Sequence, residues 1–412
     1  MSNPRIVNLK SYGRDRSGNV GIFFGVFVGA VAVTVGAMAD YGRALTERTE
    51  VQVALDAAAI AGATVIGGSE TARREAAEKV FAANFTGVGG VHVQPYVDVN
   101  GDHVSVSAQA LVPTSFARIA NVETIEVGAS STALGQGGGP ACMVALNETN
   151  SNSLHMQGTN KLVSEGCVVH VNSTHEASID ATGSAQASAD AFCTAGGSNG
   201  ESHFTPPPIN GCGKVRLGEP FTSLVAPSSS GCDHHNMQVK KQDGFKIVWP
   251  GVYCGGLELK THATVFAMPG VYGMKNGPLV ANSDATLTGW SVMFYFTGNN
   301  TTLEVMSGAY VELTAPTWGL YKNFLFVQDP NSNPGATTKI QGGGRVELNG
   351  ILFAPTWVVE VGGNGVINEN VDMWSMVADS YNMMGNAEIY IKSTPAADDQ
   401  LPVSPRKSYL VN

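Results

Sequence analysis

The sequence predicts a mainly β protein: an N-terminal transmembrane helix that extends into a small α+β unit, followed by a right-handed β-solenoid-like repeat domain. Three observations predict it. Residues 20–39 form one uncharged, mostly apolar run. From residue 141 the texture turns to Gly, Asn, Thr and Val in short β-compatible segments. Short motifs recur there at spacings near 20 residues. The expected organisation is a basic cytoplasmic start (1–19), the span (20–39), an extended helix with a small α+β unit (40–134), a Gly-rich linker (135–140), the repeat domain (141–393) and a C-terminal tail or cap (394–412).

The run from Val20 to Ala39 reads VGIFFGVFVGAVAVTVGAMA. About 20 such residues cross a bilayer core as a helix, the one single-segment structure that satisfies its own backbone there. The apolar region of a cleaved signal peptide is shorter, roughly 7–15 residues, and an A-x-A-like site would lead into a turn. Here helix-compatible sequence continues, so a retained anchor is expected. Arg5, Lys10, Arg14 and Arg16 precede the run against Asp15 alone. The positive-inside rule therefore puts the N-terminus in the cytoplasm and residues after 40 outside.

Residues 40–66 keep a helical pattern in which Ala44, Val51, Leu55, Ala58 and Gly62 share one face. The small residues Ala57, Ala58, Ala61 and Gly62 permit close helix contact and form the expected packing face. A second amphipathic helix is read over residues 70–86, with Ala77, Val80, Phe81 and Phe85 inward. A hairpin turning at Asn100-Gly101 follows. A short helix at 116–121 and a strand at 123–134 complete the unit.

The repeats come next. Pro250-Gly-Val-Tyr253 recurs at Pro269-Gly-Val-Tyr272, and Ala315-Pro-Thr-Trp318 at Ala354-Pro-Thr-Trp357. His262-Ala-Thr264, Asp284-Ala-Thr286 and Gly308-Ala309 each precede a β-compatible pair. Stacked short strands would share one core that no single repeat can bury, and residues 141–393 supply roughly ten coils. A β-sandwich or jelly roll is the competing fold. Residues 141–240 read as less regular, pinned by disulfides, and the tail as a cap over an open edge.

All six cysteines lie between Cys142 and Cys254. An even, clustered set in an exported domain reads as disulfides. Neighbour pairing of Cys142 with Cys167, Cys193 with Cys212 and Cys232 with Cys254 is expected among the connectivities open to six cysteines. A zinc site is disfavoured because no C-x-x-C occurs. With 24 basic and 34 acidic residues the net charge is −10, which excludes nucleic acid as a natural partner.

Other sites were weighed. Asp180-x-Thr182-x-Ser184 matches the D-x-[ST]-x-S metal motif of von Willebrand-type domains, but the polar THEASI before it is not a buried strand. Asp233-His234-His235 lacks a third His nearby. Asp284, Glu304, Glu312, Glu347 and Glu360 are scattered, with no marked acid–base pair. The expectation is therefore no catalytic residue, no metal and no cofactor. Trp249, Trp290, Trp318, Trp357 and Trp374 all fall among the repeats. They fit equally a sugar-stacking surface, for which Trp290, Trp318 and Trp357 are the candidates, or packing at coil corners.

The segments Arg14-Asp-Arg-Ser-Gly-Asn-Val20, Asp40-Tyr-Gly-Arg43 and Gln52-x-Ala-Leu-Asp56-Ala-Ala-Ala59, in that order around the apolar run, resemble the N-terminal module of TadG-like Flp (tight adherence) pilus-assembly proteins. The resemblance covers roughly residues 12–65. It implies a bacterial inner-membrane protein of the tight-adherence machinery, single-pass, with its bulk periplasmic or surface-exposed. Related pilins carry a Gly followed five residues later by Glu for prepilin peptidase. No Glu lies between Gly18 and Ala39, so an accessory component is expected rather than a fibre subunit. Residues 250–257 and 343–355 also resemble segments of domains found behind this module. The expected partners are the inner membrane and pseudopilin-like or other pilus-assembly proteins, the pseudopilin-like ones packing on the Ala/Gly face at 57–63. The alternatives are a surface polysaccharide-binding adhesin and a β-solenoid polysaccharide-active enzyme.

Overall fold

The structure, a computed structural model, describes residues 18–66, 69–85, 94–227, 231–393 and 400–411. The basic residues expected to set topology, Arg5 to Arg16, lie outside the described residues. The chain forms two compact units, one of residues 1–135 with 408–412 and the other of residues 136–407.

In the first unit, helix α1 runs without a break over Gly18–Thr64. Its first half exposes the apolar side chains Phe23, Phe24 and Phe27. Its second half buries Ala44, Val51, Leu55, Ala58 and Ala63. Helix α2 (Glu70–Asn84) starts where the Ser69 hydroxyl accepts the Ala72 N–H, and it buries Ala77 and Phe81. Strands β1 (Tyr96–Asn100) and β2 (His103–Pro113) form a hairpin, and β3 (Thr124–Gln136) pairs antiparallel with β2. In β2 buried and outward residues alternate strictly, so Val104, Val106, Ala108, Ala110 and Val112 all face the helices.

Three expectations change here. The hairpin loop is Gly101-Asp102, because Asn100 pairs with His103. Arg73 of α2 holds it, donating to the Gly101 carbonyl and lying 3.6 Å from Asp102. The small-residue face is occupied within the unit: Ala58 is fully buried, and a Cβ on Gly62 would lie 2.8 Å from Val104. Ala57 and Ala61 are half-buried. The close approach that small residues permit is used to seat α2 and β2, not reserved for a pilin-like partner. The tail divides: Leu401 is buried in the core of the second unit, where Val403-Ser404 also pairs with Gly139-Pro140. Lys407–Leu410 is the fourth strand of the first unit's sheet, beside β3, and the Val411 N–H donates to Thr132 O. Residues 394–399 lie outside the described residues.

The second unit is built of parallel strands wrapped around one apolar core. Each strand pairs with the equivalent strand of the next rung. Thr264 pairs with Thr286 and Thr286 with Tyr310, so the His262, Asp284 and Gly308 motifs stack in register. Those three residues have φ of 63°, 59° and 92°, a left-handed corner repeated on successive rungs. The alanines that follow, Ala263, Ala285 and Ala309, are fully buried at the same corner.

The repeated Pro-Gly-Val-Tyr also has a structural reason. The Tyr253 hydroxyl donates to Trp249 O (2.7 Å) and that of Tyr272 to Met268 O (2.6 Å). Their rings belong to an internal column of His234, Tyr253, Tyr272, Phe294 and Phe326, with successive centroids 4.5–5.8 Å apart. Neither tetrapeptide repeat is in register, since Gly251 pairs with Tyr272 and Tyr253 with Met274. Ala354 pairs with Ala378, while Thr314 pairs with Asn349, so the two copies of Ala-Pro-Thr-Trp occupy different places on their rungs.

Rung order departs from chain order. The rungs from residue 234 to residue 392 stack in sequence. The last, Trp374–Lys392, then pairs in parallel with the first, residues 141–165. From there the stack continues through residues 168–188, 191–205 and 209–210. Strand order thus departs from chain order, with residues 374–392 paired to both 350–367 and 141–165.

Residues 211–233 cross the stack as an external strap, of which 228–230 lie outside the described residues. At a rung spacing of about 4.8 Å the crossing is roughly 45 Å, well within the reach of that many residues. Asn172 bonds both the N–H and the C=O of Val215, and Phe221 lies 5.5 and 5.2 Å from the rings of Phe324 and Phe353.

The cysteines pair as neighbours: Cys142–Cys167, Cys193–Cys212 and Cys232–Cys254. The last two bracket the strap. Residues 141–210 form parallel strand pairs, with a register shift at Ala141/Met143 and strands of only two residues at 198–199, 204–205 and 209–210, so the looser structure expected over 141–240 is concentrated in 195–233. The linker is shorter than expected as well, since Gly139-Pro140 already pairs antiparallel with Val403-Ser404.

Candidate functional site

The joint between the apolar half of α1 and its own small unit is the most constructed polar feature of the first unit. Asp40 directly follows the apolar run and is buried. Its carboxylate accepts the backbone N–H groups of Ser115 (2.9 Å), Phe116 (2.7 Å) and Ala117 (2.7 Å). These begin the 3-10 turn Ala117–Ala120, whose free N–H groups need an acceptor. The N–H of Ala117 above all, then those of Ser115 and Phe116, hold the Asp40 carboxyl below the usual carboxylate range. One turn earlier Gly36 lies under Phe116, and a Cβ there would fall 2.6 Å from the ring. Sequence reasoning placed Asp40 in a motif and assigned it no task. The available signal was a carboxylate at the very end of an apolar run, where an unpaired charge is costly.

The tryptophans divide. Trp318 is 77% exposed, and Trp290 and Trp249 are also exposed. Trp357 and Trp374 are fully buried. Trp357 is therefore corrected from surface candidate to core residue: it packs edge-on against Phe296 at 5.1 Å. Trp290 ends a strand whose register places it two rungs from Trp249 on the same outer wall.

Two acidic residues of the repeats are held by neighbouring side chains. Glu347 pairs with Arg345 (2.8 Å), Glu312 accepts the Tyr310 hydroxyl (2.7 Å), and Lys339 stands in register between Glu304 and Glu360. Arg345 holds the Glu347 carboxyl below its usual range. Asp180 lies 3.0 Å from His155, while Thr182 and Ser184 are exposed. His234 stacks on Tyr253, and Asp233 accepts the Val252 N–H (2.8 Å). Among the described residues no three His, Cys, Asp or Glu side chains are grouped to hold a metal ion. A groove between strap and wall is lined by Leu217, Phe221, Leu224, Tyr295, Val327 and Phe353. It is apolar, with Asp329 its one carboxylate.

By length and composition α1 can cross a membrane, and its apolar stretch is almost wholly exposed. No curated protein and no solved structure matches the chain. Residues 18–65, which include the whole of α1, match the family described as putative Flp pilus-assembly TadE/G-like.

Proposed function

We propose that this protein is a membrane-anchored, non-enzymatic accessory component of Flp (tight adherence) pilus assembly, with residues after 40 on the extracytoplasmic side. The observation that carries the reading is the division of labour within α1. Its first half bears large apolar side chains that only hydrocarbon would solvate, and its second half is the core helix of a small folded unit. The family match covers both halves. Three disulfides suit an oxidising compartment.

The second unit serves as the contact surface of the anchored protein, and we read it as a right-handed β-solenoid. The in-register corners and the rung-by-rung parallel pairing support that reading. Glu347 and Glu312, each held by a neighbouring side chain, favour a binding role over hydrolysis.

Fractionation of bacteria expressing the full chain tests the proposal, combined with thiol labelling before and after reduction and with protease treatment of spheroplasts. Full-length protein in the inner membrane, with cysteines blocked until reduction and residues after 40 digested from outside, is the expected result. Crosslinking to pilus-assembly proteins then follows. A shortened soluble form would overturn the anchor.

A second reading, a surface polysaccharide binder, is favoured by the exposed rings of Trp249, Trp290 and Trp318. Its test is co-sedimentation with cell-surface polysaccharide, compared with W290A and W318A.

A further inference from the structure

We infer that the loop from Pro113 to Glu123, between β2 and β3, is a second membrane contact, inserting Phe116 and Ile119 into the outer edge of the same leaflet in which α1 ends. The inference rests on the reading of α1 as a membrane span. Its occupant is lipid: the acyl-chain and headgroup boundary of the bilayer.

The argument is one of height along α1. The span Val20–Ala39 is about 30 Å long at about 1.5 Å per residue. Gly36 lies three residues before its outer end, roughly 4.5 Å inside the apolar region. Phe116 is seated directly on Gly36, and the glycine leaves room for nothing else. Asp40 then ties the N–H groups of residues 115–117, so the loop cannot move along the helix without leaving a buried carboxylate unpaired. The loop is thus held at the level where hydrocarbon gives way to headgroups.

Its composition fits that level. Ile119 is 75% exposed, and Phe116 and Val122 of the same loop are also exposed. Three large apolar side chains on one short loop are thus exposed, and Phe116 among them touches the span at Gly36. Tyr41 is exposed just past the end of the span, and Arg118 sits within the turn between Phe116 and Ile119. An aromatic with a polar tip and a long cationic side chain are the residues that settle at a bilayer interface. A helix with one added wedge is fixed in tilt and rotation, which a lone span is not. The small unit would be presented at a set orientation.

The experiment uses the full chain, whose native cysteines are all paired. Single cysteines replace Ile119 and, in a second variant, Val122, and each is labelled with an environment-sensitive fluorophore. A control variant carries the label at Phe27. The proteins are reconstituted into phosphatidylethanolamine–phosphatidylglycerol vesicles containing lipids with nitroxides at shallow or deep acyl positions. Quenching at 119 and 122 by the shallow nitroxide, with Phe27 quenched by the deep one, is expected. Quenching at 27 alone would overturn the wedge and leave the span standing. A blue-shifted label at 119 that no nitroxide quenches would mean that protein covers the patch, which also overturns it. Loss of quenching at all three sites would overturn the membrane reading itself.

Discussion

The hydroxyl of Ser375 donates to the carbonyl oxygen of Cys142 at 2.8 Å, joining residues 233 apart in sequence. Ser375 is fully buried there, at the seam where the last rung of the second unit meets the first. Removing one buried partner leaves the other poorly satisfied. Ser375→Ala is expected to cost about 1 kcal/mol, read as a lower denaturation midpoint with an unchanged slope.

Trp357 and Trp318 end the two copies of one tetrapeptide and answer differently to the same change. Trp357→Ala removes a fully buried indole packed on Phe296 and is expected to cost about 3–5 kcal/mol. Trp318→Ala removes a ring mostly in solvent and should change stability by less than about 0.5 kcal/mol. Thermal melts of the two variants, side by side, check both.

The strap is tied at both ends. Replacing Cys193 and Cys212 together by Ser opens a loop with a sequence separation of 19 residues and is expected to cost about 3 kcal/mol through the unfolded chain. Limited proteolysis should then cut within residues 211–227 before any rung is attacked.

His170 is fully buried, with Nδ1 2.9 Å from the Ser404 hydroxyl. Burial lowers its pKa from 6.5 to about 4. The folded protein therefore resists a proton that the unfolded chain accepts. The stabilising contribution is complete above pH 6.5 and is lost as pH falls from 6.5 towards 4, by about 3 kcal/mol in all. Denaturation measured across that range should show the loss, and His170→Gln should flatten it.

Gly62 stands where α1 crosses β2. Gly62→Val would drive its side chain into Val104 and the Arg73 carbonyl, 2.8 and 3.0 Å from the added Cβ. Overpacking of this kind costs about 1–3 kcal/mol. Faster amide exchange in α2 and β2, with the second unit unaffected, is the expected signature.

Much of the first unit was legible because its determinants are local. The apolar run, the 3.6-residue periodicity of α1 and α2 and the alternation in β2 each act within one element. The inward face of α1 was read correctly down to Leu55 and Ala58. Its consequence was misjudged, since a face suited to close packing does not say which chain will fill it. Asp40 escaped notice for a related reason: its donors are backbone N–H groups of residues 115–117, which carry no side-chain signature.

In the second unit the sequence alone determined the mainly β texture and the recurrence near 20 residues of the motifs at 262, 284 and 308. Both follow from composition and spacing along the chain. Only the tertiary structure decided that residues 374–392 lie against residues 141–165, that the strap recrosses the stack, that the tail returns to the small sheet, and that Trp357 is core while Trp318 is not. The physical reason is that parallel ladders pair through the backbone and bury similar apolar rows on every rung. One rung's pattern suits almost any neighbour, so order in the stack is set by the packing of the whole and not by any segment of it.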